Sequence, residues 1–264
     1  MQKEHILLTY NIRNSTINEV NCSDELNNWK YRKWALIDLL KKQNADVICF
    51  QEDSNEQVVD ILAELKDHYK VVRFKKELAI DNQEYNSIFI KKEFTILDRK
   101  CFYISKTPNI KSKLKQSFFT RHMTSVTYKR NDEIYTLINV HLDNSENKQF
   151  KKKEAEVFLK IINANFKEGN ILILGDFNFG TDDNEAYKLI SHKFIDVSRI
   201  FNIREPTHPN WLMWNIYRQI DYCWVLSQSG INFKSFEILK DKYVRKDGKE
   251  MEPSDHFLVK CIIN

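Results

Sequence analysis

The chain has 264 residues, 42% of them hydrophobic, with 17 Phe, 11 Tyr and 5 Trp but only 5 Gly and 4 Pro. This composition excludes a disordered chain, a fibre and a Gly/Pro-rich low-complexity protein, and the length is ample for a sizeable core. Lys and Arg number 41 against 37 Asp and Glu, a formal net charge of +4 that permits an anionic substrate without requiring one.

Five scattered cysteines (Cys22, Cys49, Cys101, Cys223, Cys261) form no Cys-x-x-Cys pair. Cys49, Cys223 and Cys261 sit in apolar runs, where a reduced Cys acts as a small hydrophobe. Ile6-Leu7-Leu8 is too short for the apolar part of a signal peptide, and no segment approaches the length of a membrane span. A reducing, cytoplasmic setting and a monomer are the expectation.

In chain order, Ile6 to Ile12 reads as a short apolar strand, residues 13–28 as a polar loop, and Trp29 to Gln43 as a helix with Ala35, Leu36, Leu39 and Leu40 on one face. Asp46 to Gln51 is a second buried strand. Ser54 and Gln57 form a capping box ahead of Val58, Ile61, Leu62 and Leu65 at helical spacing. Val71 to Phe74, Asn86 to Ile90, Phe94 to Leu97 and Cys101 to Ile104 read as strands. So do Met123 to Tyr128 and Ile134 to His141, joined by a turn at Arg130-Asn131-Asp132. Lys148 to Phe166 is a helix burying Ala155, Phe158, Leu159 and Ile162. Ile171 to Leu174 is a strand apolar on both faces, followed by a short helix around Ala186 to Ile190. Ile220 to Leu226, Ile231 to Leu239 and Phe257 to Ile263 are the last strands. Strands alternate with helices and then run together, twice, with no linker or repeat between. That pattern predicts one α/β domain over 1–264, with two sheets packed face to face and helices outside.

The candidate chemistry lies where these strands end. Ile171 to Leu174 stops at Gly175 and delivers Asp176 and Asn178, which project to one side at period two. A carboxylate and a carboxamide so placed suit a hard cation and a phosphate oxygen. Asn11, Glu52 and His141 end three other strands; Asp221 heads an apolar run, and Asp255-His256 precede the final strand. Each alone is an ordinary turn or surface residue. Six such sites bordering apolar strands predict one polar cleft.

The stretches TYNI, FQED, NVHLD, GDFN, QIDY and SDH occur in this order over nearly the whole length. In them the chain resembles the endonuclease/exonuclease/phosphatase superfamily, with the deoxyribonuclease I-like fold. TYNIR followed by NNWKYRK, and EYNSIFIKKEF…FYISKTP…RHMTSVTY, resemble a bacterial branch of it. The resemblance implies a four-layer sandwich of two mixed sheets with helices outside, and phosphoester hydrolysis with Mg²⁺ or Mn²⁺. It implies Glu52 as the main metal ligand, Asn11 as a helper holding the metal or its water, and Asp255 at a second or shared metal position, or behind it. Asp176 and Asn178 orient the attacking water and grip a phosphate oxygen. His256 is general base or transition-state stabiliser, held by Asp221; the water's proton goes to His256 or to Asp176. His141, partnered by Glu84, contacts phosphoryl oxygens or protonates the leaving group, and Arg121 neutralises charge on the phosphate.

Two regions bear on the substrate. Residues 105–131 carry Lys106, Lys111, Lys113, Lys115, Arg121, Lys129 and Arg130 and no Asp or Glu, which suits a nucleic-acid backbone or simply a solvated loop. In THPNWLMWNIYR, Trp211, Trp214 and Tyr217 are either core or a stacking surface for a base or sugar. GDFN also lacks the following Pro that many relatives carry. The sequence therefore predicts a Mg²⁺- or Mn²⁺-dependent phosphodiesterase or nuclease. The alternatives are a phosphomonoesterase acting on a small metabolite, lipid headgroup or sugar, and a catalytically dead binding protein of the same fold.

Overall fold

The computed structural model describes residues 4–16, 25–74, 84–181, 184–208 and 218–264. Trp211, Trp214, Tyr217 and Cys22 lie outside the described residues. The elements in chain order are β1 (His5–Asn11), a 3-10 turn (Glu25–Asn27), α1 (Trp29–Gln43), β2 (Val47–Gln51), α2 (Asn55–Leu65), β3 (Tyr69–Val72), β4 (Ile88–Lys91), β5 (Thr95–Tyr103), β6 (His122–Arg130) and β7 (Glu133–His141). There follow α3 (Lys148–Asn165), β8 (Asn170–Asp176), α4 (Asn184–Ser191), β9 (Phe194–Asp196), α5 (Val197–Ile200), β10 (Asp221–Leu226), β11 (Phe233–Leu239), the pair β12 (Tyr243–Val244) and β13 (Glu250–Met251), and β14 (Leu258–Ile263).

Two six-stranded mixed sheets result, in the orders β11-β14-β1-β2-β4-β3 and β5-β6-β7-β8-β10-β9. Each has one parallel pair near its centre, β1 with β2 and β7 with β8. The continuous apolar runs follow from burial on both faces. In β8, Leu172 and Leu174 pack in the layer between the sheets, beside Val47, Cys49, Cys223 and Cys261. Ile171 and Ile173 face the other way, into a cluster with Phe158 and Ile162 of α3 and Ile190 of α4. On the outside of the first sheet, Leu8, Ile48 and Phe89 meet Leu36 and Leu40 of α1 and Ile61 of α2. The architecture is thus the expected helix–sheet–sheet–helix sandwich.

Local signals decide several boundaries. The capping box forms as expected, with Ser54 Oγ accepting from Gln57 N at 3.2 Å and Gln57 Oε1 accepting from Ser54 N at 3.0 Å. The β6–β7 hairpin closes through Asn131 at φ 55°, a conformation Asn tolerates. The two strands expected at Phe94 to Leu97 and Cys101 to Ile104 are one strand, β5, irregular between Ile96 and Asp98. It is the edge of its sheet, so Asp98, Arg99 and Lys100 point to solvent and the polar interruption does not break it.

Gly175 is needed for a close approach. Its φ is +151°, and a Cβ there would lie 1.9 Å from the carbonyl oxygen of Val140, its neighbour on β7. Gly175→Ala is expected to cost about 3 kcal/mol, read as a lowered midpoint in urea unfolding. A wild-type midpoint would show that β7 yields without cost.

Candidate active site

Strand register assembles the site. Asp176 pairs with His141 across the parallel β7–β8 ladder and with Asp221 across the antiparallel β8–β10 ladder. Asn11 ends β1 beside Gln51 at the end of β2, so Glu52 leaves the first sheet at the same edge. Gln51 Nε2 donates to Asn139 Oδ1 of β7 at 2.6 Å, a buried polar link between the sheets next to that edge. Arg13, Glu52 and Asn178 all adopt left-handed backbone, with φ of 53°, 61° and 51°. Such conformations cost energy in non-glycine residues and here turn three strand ends into one cleft.

The hub is a single oxygen. Asp176 Oδ2 lies 3.1 Å from Asn11 Nδ2, 3.5 Å from His141 Nε2 and 3.7 Å from His256 Nε2. Its other oxygen accepts from Asn178 N at 2.8 Å. Burial, then the facing Asp221 carboxylate, push the Asp176 carboxyl up to about 7. His256 Nδ1 is 2.9 Å from Asp221 Oδ2. Burial lowers the affinity of His256 for its proton. The Asp221 and Asp176 carboxylates, the hydrogen bond to Asp221 and Asp255 outweigh it and raise its pKa to about 10. This fixes Nδ1–H on Asp221 and turns Nε2 toward Asp176.

Around the hub, Glu52 Oε1 accepts from Asn11 Nδ2 at 3.1 Å and Oε2 from Asn14 N at 3.1 Å. Asn11 therefore turns its amide nitrogen, not its oxygen, toward both carboxylates, while Oδ1 accepts from Arg13 N. Asp255 is half-buried, 3.5 Å from Arg13 Nη1. Burial raises its pKa, but His256, Arg13, His208 and Arg32 together hold it below the ordinary carboxylate value. On the opposite side, Arg121 Nη1 is 3.0 Å from His141 Nδ1 and 3.4 Å from Glu84 Oε2, so one guanidinium nitrogen links the two residues expected to pair. Asn178 Nδ2 is 3.0 Å from His141 Nε2 and donates to Leu142 O at 3.0 Å. A guanidinium only donates, so His141 accepts at Nδ1 and Nε2 carries its proton. That N–H has Asp176 Oδ2 within 3.5 Å, with the Asn178 amide beside it.

Ten of the twelve site residues expected from sequence thus stand at one sheet edge: Asn11, Glu52, Glu84, Arg121, His141, Asp176, Asn178, Asp221, Asp255 and His256. Sequence reasoning missed three others. Arg13 faces Asp255. The ring of His208 meets that of His256 edge-on at 4.8 Å. Arg32 is buried and donates to the carbonyls of Ile12, Arg13, Asn27 and Pro253, tying the end of β1 to the segment before Asp255. The Arg in NNWKYRK was the available signal for it.

The residues fit a divalent cation. Asp221 Oδ1 is buried with no hydrogen-bond partner among the described residues, and single ligand atoms of Asp176, Asp221 and His256 lie within 4.8 Å of one another. Crowded carboxylate oxygens are the donors of hard cations such as Mg²⁺ and Mn²⁺.

Residues 8–260 match the model of the Endonuclease/Exonuclease/phosphatase family, and the chain belongs to it. It is an enzyme acting on phosphoester bonds, in a family dependent on divalent metal. Among solved structures it is similar to an endonuclease/exonuclease/phosphatase family protein from Bacteroides thetaiotaomicron (21% identity, 100% of this chain and 98% of that one, TM-score 0.83). It is also similar to a mannosyl-6-phosphatase from the same organism (22%, 98% and 99%, TM-score 0.82). A third is D. rerio TDP2 complexed with a single-strand DNA product (15%, 100% and 100%, TM-score 0.75). No curated protein matches the chain at a significant level. Among the described residues no helix is long and apolar enough to cross a membrane.

Proposed function

We propose that the chain is a Mg²⁺- or Mn²⁺-dependent phosphodiesterase that hydrolyses its substrate by in-line attack of water. The observation that carries this reading is the convergence of Asn11, His141 and His256 on Asp176 Oδ2, with Asp221 opposite. Glu52 would hold the cation, with Asp255 or Asp221 completing its oxygen ligands. Asn11 acts through its amide nitrogen, which donates to both Glu52 and Asp176 and keeps the two carboxylates aimed. The cation, when bound, neutralises charge on the phosphoryl group.

The chain's own groups divide the remaining work. Asp176 takes or orients the water's proton, beside His256, whose raised proton affinity keeps it charged against Asp221 and able to stabilise the developing negative charge. His141 Nε2–H, Asn178 Nδ2 and Arg121 offer donors to the phosphoryl oxygens. Arg121 is held in place by its own neighbourhood. Asp143 Oδ2 accepts from Ser117 Oγ, Phe118 N and Phe119 N, fastening the segment before Arg121 to the end of the strand that bears His141. Lys106, Lys113 and Lys115 of that segment are exposed, which supports a polyanionic substrate such as nucleic acid. The test is an activity panel with Mg²⁺ and Mn²⁺ on single- and double-stranded DNA, RNA, a bis-aryl phosphodiester and an aryl phosphomonoester. The expected result is faster turnover of diesters, with a KM that rises steeply with salt on nucleic acid.

A second reading is a phosphomonoesterase on a phosphorylated sugar. The mannosyl-6-phosphatase match supports it, as does a compact polar pocket beyond Asn178. A salt-independent KM with monoesters preferred favours this reading over the first.

Under either reading, Glu52→Gln keeps the shape of the side chain and removes its charge. It is expected to weaken metal binding by about 10-fold or more, with turnover falling alongside. The check is Mn²⁺ titration calorimetry together with the Mg²⁺ dependence of kcat. Unchanged metal dependence would remove Glu52 from the ligand set.

A further inference from the structure

Two residues beyond Asn178, the chain enters the wall of a second cavity of about 400 Å³, distinct from the Asp176 cluster. Among the described residues its lining draws on four short segments, Gly180 with Thr181, Asp196 with Ser198 and Arg199, Arg204 with Pro206, and Arg218 with Gln219. Three arginines therefore line one small pocket. Asp196, the acid among its described lining residues, is already engaged. It accepts from Tyr187 Oη at 2.8 Å, Ser198 N at 3.0 Å and Ser198 Oγ at 2.7 Å. Arg199 lies 3.9 Å from Asp196 and over the Tyr187 ring at 4.7 Å, and Arg218 lies 3.8 Å from Glu146. Both arginines remain substantially exposed, at 45% and 38%. Arg204 is exposed and has no ion pair among the described residues. Gln219 Nε2 donates to Ser198 Oγ at 3.0 Å, joining two walls.

The pocket is tied to the candidate active site through the backbone. Thr207 Oγ1 accepts from Ile220 N and Asp221 N at 3.0 Å each, and Phe177 N donates to Ile220 O at 2.9 Å. Gly180 follows Asn178 by two residues and Gln219 precedes Asp221 by two. Guanidinium groups bind phosphate with paired donors, and among the described residues lining the pocket none is aromatic, so none offers a ring for a base to stack on.

We propose that this pocket binds a second, non-scissile phosphate of the same substrate, carried on a polyol or sugar-sized scaffold. The proposal rests on the hydrolase reading of the Asp176 site, in its phosphomonoesterase form since a sugar bisphosphate carries only monoesters, and names what its substrate carries. The next phosphate of a nucleic-acid strand has the same chemistry, and the experiment separates the two sources.

The experiment measures kcat/KM for matched pairs: hexose bisphosphates against hexose monophosphates, and pTpT against TpT, with a bis-aryl phosphodiester and an aryl phosphomonoester as references. It is run on the wild-type protein, Arg204→Gln and the double variant Arg199→Gln/Arg204→Gln. The expected result is a preference for the second phosphate that falls by about 10- to 100-fold in the double variant, the worth of charge-assisted hydrogen bonds. A preference confined to the hexose pair supports the proposal as stated. One confined to the dinucleotide pair overturns the sugar scaffold and assigns the pocket to a nucleic-acid strand. Reference turnover with no preference in the wild type, or one equal in the variants, overturns the pocket while leaving the hydrolase reading in place. No turnover of any substrate overturns the hydrolase reading and the pocket with it.

Discussion

His256→Ala is expected to lower kcat by about 10²–10⁴, the usual worth of a positioned acid–base group. The expectation follows from a side chain with both nitrogens committed: Nδ1 at 2.9 Å from Asp221 Oδ2, and Nε2 facing Asp176 Oδ2 at 3.7 Å. Asp221→Asn keeps the size of the partner but removes the charge that fixes Nδ1–H, so it also lowers kcat, by less than His256→Ala. In the double variant the loss should barely exceed that of His256→Ala, because residues acting as a unit are not additive. The measurement is a double-mutant cycle on kcat at saturating metal, with folding checked by circular dichroism. Additivity of two large effects would separate the residues. A near-wild-type His256→Ala enzyme would remove the proposed water-side role of this pair.

Much of this arrangement is legible in the sequence because both faces of each sheet are buried. Ile171 to Leu174 can be apolar without interruption only in a strand with a sheet on one side and helices on the other. A polar residue ending such a run is conspicuous, which is why Asn11, Glu52, His141, Asp176 and Asp221 stand out. Edges are less readable. In β5, exposure removes the apolar signal that would have joined its two halves, and β9 and the β12–β13 pair are too short to carry a pattern. Within the site, what was missed depends on direction. The sequence placed Arg121 and Glu84 near His141, but not that a single Arg121 nitrogen serves both. Nor did it show that the Asn11 amide turns its nitrogen inward. His208 lies in a segment without strand or helix pattern, and only the fold brings its ring against His256. The Arg199–Arg204–Arg218 pocket draws on three separated segments, so no local motif marks it.

Away from the site, the fold carries an acid-sensitive histidine with a large expected effect on stability. His5, at the start of β1, is fully buried, packs edge-on against Tyr135 at 4.9 Å and meets Tyr128 Oη through Nε2 at 3.0 Å. Burial lowers its pKa to about 3; Asp46 opposes that, while Arg130 and Lys91 add to it. The unfolded chain takes up this proton near pH 6.5, whereas the folded protein resists it until about pH 3. The unfolded state therefore binds more protons throughout that window, and stability falls as the pH is lowered through it. At about 1.4 kcal/mol per pH unit, His5 removes roughly 2–3 kcal/mol between pH 6.5 and 4.5, and about 4–5 kcal/mol once pH 3 is reached. Buried carboxyls with raised pKa act in the opposite direction. Glu154, pushed up to about 8 by burial and by Asp143, gains stability as the pH falls toward its unfolded value. The useful quantity is therefore the difference between the wild type and His5→Phe, which does not titrate. That variant leaves the Tyr128 hydroxyl without its partner and should be about 1–3 kcal/mol less stable at pH 8. On acidification its deficit should shrink and then reverse by pH 4. Urea unfolding at half-unit steps from pH 8 to pH 4 measures the difference, and a deficit that stays constant would show that His5 is not the group that makes the fold acid-sensitive.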